Sequence, residues 1–125
     1  MESRTKFLGH PIHPMLIVFP LGLLGMSVIF DIIRLITGEE AFAIAAYYNI
    51  AAGILAGLVA ALFGLLDWLA VPGGTRAKTI GLTHGIGNVI VVSLFAISWL
   101  LRRDEPNFVP DTAALALSFA GLLLA

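Results

Sequence analysis

The chain has 125 residues, of which 59% are hydrophobic and 12% charged, against about 45–50% apolar and about 25% charged in soluble domains; this is the composition of a membrane protein. It contains no cysteine, which excludes disulfides, thiolate metal sites and iron–sulfur ligation from within the chain. Seven Lys or Arg stand against eight Asp or Glu, a formal net charge of -1, so there is no basic surface to follow nucleic-acid phosphates, and no nucleic acid is expected as a partner.

In chain order, the first notable stretch is Gly9-His10-Pro11-Ile12-His13-Pro14. A residue before proline is disfavoured in the α region, so His10 and His13 are expected on a stiff extended lead-in, their side chains on opposite sides of it. Pro14 suits the first turn of the helix that follows. That helix, over about 15–36, is long enough for a bilayer core of about 30 Å, which takes roughly 20 helical residues. It is also too long for the apolar region of a cleaved signal peptide. After Thr37-Gly38-Glu39-Glu40 a second span is expected over about 41–66, ending at Asp67-Trp68, where Trp is in its usual place at a headgroup boundary.

A third span over about 80–101 closes at Arg102-Arg103-Asp104-Glu105-Pro106. Asp111 or Thr112 can cap a last helix over 113–125. Its run of about 13 residues would rise only about 20 Å, so this span is expected to be incomplete as it stands. The fold class is all-α: one domain over 1–125, an up-down bundle of four transmembrane helices. Gly53, Gly57, Ala60, Ala61 and Gly64 on the second span, with Gly81 and Gly85 on the third, recur at helical spacing. Small residues so spaced let helices approach closely in lipid; the rival meaning is room for a flat cofactor.

Up-down threading brings His10, His13, Asp67, Trp68, His84 and Asn88 to one membrane side. Asp31, Arg34, Glu39, Glu40 and the Arg102–Glu105 group fall on the other, as ordinary interfacial charges. His84 and Asn88 are four apart and share a helix face, and polar groups inside an apolar span usually face the bundle interior and mark function. The bland readings are interhelical hydrogen bonds for His84 and Asn88, a proline turn at the interface for His10 and His13, and a solvated Asp67. The sharper reading for Asp67 is orientation of an imidazole by accepting its second ring proton.

Gly9-His10-Pro11-Ile12-His13-Pro14-Met15, Phe19-Pro20-Leu21-Gly22 and Thr83-His84-Gly85-Ile86-Gly87-Asn88 together resemble a family of small bacterial and archaeal membrane proteins, domain of unknown function 2231. The resemblance covers all four spans. It implies a fourth span that ends in a Gly-Gly pair followed by His-Gly-Val, adding an imidazole on the histidine side. This sequence lacks that ending. The resemblance also implies redox company, since some members are fused to or encoded beside Rieske-type modules.

The leading functional expectation is a histidine cluster that binds a redox cofactor, haem b, for electron transfer, with His84 as one axial ligand and His10 or His13 as the other. Imidazole is a standard haem ligand, glycines around His84 (Gly81, Gly85, Gly87) would leave room for the ring, and Asp67 or Asn88 would tune the potential. The first alternative is a Zn, Cu or Fe ion on His10, His13 and His84. The second is a non-catalytic accessory or assembly subunit, or a homo-oligomer, joined through glycine-rich helix faces. A stand-alone enzyme is not expected: the serines are scattered, with no nucleophile elbow, and Gly73-Gly74-Thr75-Arg76 is not a P-loop. Arg4, Lys6, Arg76 and Lys78 on the histidine side against Arg34, Arg102 and Arg103 opposite predict a cytoplasmic N-terminus in a bacterial or archaeal cell membrane.

Overall fold

Lipid offers no partner to a backbone N–H or carbonyl, so a chain this apolar must satisfy its amides within helices. The computed structural model describes residues 6–7 and 10–125, with side chains from residue 12 onward. A two-residue strand, β1 (Lys6–Phe7), pairs antiparallel with β2 (His10–Pro11). The helices are α1 (Ile12–Leu16), α2 (Val18–Thr37), α3 (Glu40–Leu69), α4 (Arg76–Arg102) and α5 (Thr112–Leu124), with a single 3-10 turn at Pro106–Phe108 before the last. Among the described residues, four segments are long and apolar enough to cross a membrane: Ile12–Thr37, Glu40–Leu69, Arg76–Arg102 and Pro106–Leu124. The fourth counts 19 residues from the 3-10 turn to Leu124, of which α5 itself supplies 13.

Local chemistry sets the element ends. Gly38 closes α2 in the left-handed region at φ 74°, where its N–H bonds Arg34 O at 2.7 Å. Thr75 caps α4 by accepting from Lys78 N, and Asp111 caps α5 by accepting from Ala114 N at 2.8 Å. α1 and α2 are one apolar run interrupted after Leu16. Pro20, having no N–H, cannot bond the carbonyl four residues back, and the ladder resumes as Leu21 N to Ile17 O at 3.3 Å.

The bundle is two hairpins. α2 packs along α3 and α5 along α4, and the pairs meet through α3 against α4 and α2 against α5. Leu24, Val28, Ile50, Val91 and Phe95 form the core, with Ile54, Trp99 and Phe119 against it. Glycines supply the close approaches: a Cβ at Gly53 would lie 2.8 Å from Leu24, and one at Gly121 2.8 Å from the Phe95 ring.

At the end away from the histidines, Tyr47 is stacked between Phe108, at 3.9 Å between ring centroids, and Trp99, at 5.0 Å. Among the described residues, one charged pair is inside the protein. The Arg102 guanidinium donates to both Asp31 oxygens, at 2.7 and 2.8 Å, and also to Ser98 Oγ and Ser118 Oγ. Asp31 is 1% exposed and Arg102 0%. The expectation that these two are ordinary interfacial charges is therefore corrected. Both lie on inward helix faces, where a bidentate partner and two hydroxyls replace the water they lose.

Candidate histidine site

The face of α4 that carries Val91, Phe95, Ser98 and Arg102 is buried. Stepping back along it by alternating threes and fours from Val91 reaches Asn88 and then His84, so both belong to the core-facing stripe. Yet residues 82–90 are all exposed. Ser118 pairs with Ser98 at 2.7 Å and Gly121 abuts Phe95, which sets the antiparallel register of α5 against α4. Within the exposed stretch, Asn88 Nδ2 donates to His84 Nε2 at 3.1 Å.

α3 presents a matching stripe at residues 53, 57, 60 and 64. A Cβ at Gly57 would be 3.6 Å from Pro20 and 3.8 Å from Val92, which puts α2 and α4 beside the same face of α3. Two turns further along that face lies His13. Its Nδ1 donates to Ala60 O at 2.7 Å, and its ring fills the space over Gly64, where a Cβ would meet Cε1 at 2.8 Å. The up-down order puts His13, against Gly64 near the end of α3, and His84, in the first half of α4, toward the same end of the bundle.

His13 is not on an extended lead-in. It is the second residue of α1, which corrects the expectation from the prolines. In a helix's first turn a backbone N–H has no intrahelical partner, so Pro14, which lacks one, loses nothing there, and the helix begins two residues before the proline. His10 does lie in the extended strand β2, and its side chain is outside the described residues. Of the pair, His13 is the one seen to reach into the bundle.

Asp67 is half-buried in the last turn of α3 and has an interaction partner of its own. Trp68 beside it is clamped: Nε1 donates to Lys78 O at 2.9 Å, Lys78 Nζ donates to Trp68 O at 2.8 Å, and that ammonium lies 3.7 Å from the indole centroid. The indole covers Gly81, where a Cβ would be 2.7 Å away. Gly81 therefore serves packing and does not leave room for a macrocycle, whereas Gly85 and Gly87 have nothing within 4 Å of a built Cβ. Among the described residues, no group of three or more His, Cys, Asp or Glu is placed to hold a metal ion.

Residues 9–125 match the family described as predicted membrane protein (DUF2231). The chain belongs to this family. A likeness also exists to a glycerol-3-phosphate acyltransferase of Rhizobium meliloti (strain 1021), 40% identical over 100 residues, covering 78% of this chain and 47% of that enzyme. The chain thus spans less than half the length of that relative. No solved structure matches. In this DUF2231 chain, sequence reasoning missed the part played by Gly64 and the Ala60 carbonyl. Their only signal was the spacing of 53, 57, 60 and 64, which also describes plain helix packing.

Proposed function

We propose that this end of the bundle is a haem-binding electron-transfer site in which His13 and His84 supply the axial nitrogens. The observation that carries the reading is the His13 ring. With Nδ1–H bonded to the Ala60 carbonyl, the imidazole is fixed in orientation and its Nε2 lone pair is left for a ligand, which is how ligating histidines are commonly held. The donor set favours haem over a bare ion. A haem would ask the protein for only one or two imidazole nitrogens, which His13 and His84 could supply.

Haem, when bound, would supply one-electron chemistry. The chain's own residues would orient the ring and keep water out: Gly85 and Gly87 leave open space beside His84, and the apolar helices around the site lower the local dielectric. The N-terminus is assigned to the cytoplasm on the excess of Lys and Arg at the histidine end.

A reduced-minus-oxidised spectrum of the protein purified in detergent and supplemented with haemin tests the reading. The expected result is a Soret band that shifts on reduction and is weakened in both His13→Ala and His84→Ala. Wild-type protein showing no Soret band after supplementation overturns it.

A further inference from the structure

At the end of the bundle away from the histidines, the connection from α4 to α5 bends against the preference of its own residues. Among the described residues, Asn107 and Phe108 are the two non-glycine residues with positive φ, at 52° and 56°. Asparagine tolerates the left-handed region, but a side chain as bulky as phenylalanine is crowded there against its own backbone. Such a turn persists only where its surroundings hold it. Two contacts do so here, and both reach the start of α3. The Phe108 ring lies flat on Tyr47, 3.9 Å between centroids and 7° between planes, with Tyr48 edge-on at 5.9 Å. Asn107 Nδ2 donates to Glu40 Oε2. Glu40, Ala43 and Tyr47 follow one another along one face of α3. On that face Ala43 is 0% exposed and Tyr47 7%.

We infer that residues 103–111 form a strained strap, clipped over the start of α3 by the Asn107–Glu40 and Phe108–Tyr47 contacts and poised to swing off and expose that face to water. The two clips are not equivalent. The polar one is exposed, so an outside donor or charge can compete for it, whereas the aromatic one rests on a buried ring. The backbone strain at Phe108 opposes both, so losing the polar clip alone moves the strap toward its open position. The strap is also joined to the interior charges. Its near end leaves from Arg102, whose carbonyl accepts from Glu105 N at 3.1 Å and whose guanidinium holds Asp31. Its far end is Asp111, the cap of α5. A swing of the strap therefore acts on the ends of the two helices that carry Arg102 and Ser118, and a contact made at the membrane surface is transmitted to the buried pair.

The cysteine-free chain permits a direct test in lipid nanodiscs. Ala43→Cys places a thiol on the covered face of α3, and its rate of reaction with a water-soluble maleimide reads the open strap. Slow labelling is expected when the strap residues are unchanged. Asn107→Asp keeps a residue that tolerates the left-handed region but sets a second carboxylate against Glu40, and is expected to raise the rate about fivefold, the population change that loss of one ordinary hydrogen bond brings. Adding Glu40→Gln restores a donor–acceptor pair with the roles exchanged and should return the rate to its starting value. Val28→Cys, in the core at a position 2% exposed, should stay unreactive throughout. Equal rates with and without Asn107→Asp overturn the strap, as does a rise that Glu40→Gln fails to reverse. An equal rise at Val28→Cys marks general loosening of the bundle and overturns it too.

Discussion

At position 64 a hydrogen atom in place of a methyl group decides whether His13 can lie against α3. The His13 ring sits where a Cβ would be, 2.8 Å from Cε1 and 2.9 Å from Nδ1, and only from there does Nδ1 reach the Ala60 carbonyl. Gly64→Ala should therefore eject the imidazole. Alanine is worth up to about 1 kcal/mol over glycine in a helix, so unfolding in detergent should show no loss of stability, while haemin affinity falls about tenfold or more. Unchanged affinity would remove His13 from the site. The same scale governs the buried ion pair. Asp31→Asn leaves the Arg102 guanidinium desolvated with only hydroxyl acceptors, and breaking one side of a buried pair costs about 3–5 kcal/mol. Replacing both partners with apolar residues, Asp31→Leu with Arg102→Met, should cost clearly less, measured by denaturant unfolding in mixed micelles. A double variant as unstable as Asp31→Asn would contradict this account.

Among the elements, the break between α1 and α2 matters most to the site, because it sets the angle at which His13 meets α3. Pro20 is its cause: it is buried, and the carbonyl of Leu16 gets no partner from it. Pro20→Ala should restore that bond and join α1 to α2. The expected outcome is slow hydrogen exchange at the new amide together with loss of the His13–Ala60 bond; rapid exchange there would show that the break has another origin. α4 was legible in part. Its spacing of His84 and Asn88 was visible in the sequence, but that the stripe continues into Val91, Phe95, Ser98 and Arg102 needed the position of α5. Trp68 was recognisable as an interfacial aromatic. That Lys78 would fold back under it, donating to Trp68 O and taking its Nε1–H on the backbone, depended on the geometry of the loop between α3 and α4.

Over the whole molecule, Arg102 joins Asp31 of α2 and Ser118 of α5 to its own helix α4, so one buried cluster ties the two hairpins at the end away from the histidines. In hydrocarbon, where burial of apolar surface does little to hold helices together, such polar contacts and the glycine approaches set which helices are neighbours. The up-down order also makes a topological prediction that the cysteine-free chain makes easy to check. Single cysteines at Gly73 and Asp104 should react with a membrane-impermeant maleimide from opposite sides of the bilayer. Labelling from the same side would break the bundle topology.

What the sequence determined by itself was the membrane class, the count and rough limits of the spans, and the family. These follow from hydropathy and connectivity, which are local properties of a chain in lipid. The tertiary structure alone decided the rest. It turned His13 inward through the Ala60 carbonyl, committed His84 to Asn88 and filled Gly81 with an indole. It also converted two supposed surface charges, Asp31 and Arg102, into an interior pair. Each of those outcomes depends on which helix faces meet and at what register. Side-chain periodicity gives a residue's face on its own helix, but the partner across the gap is fixed only when the helices pack.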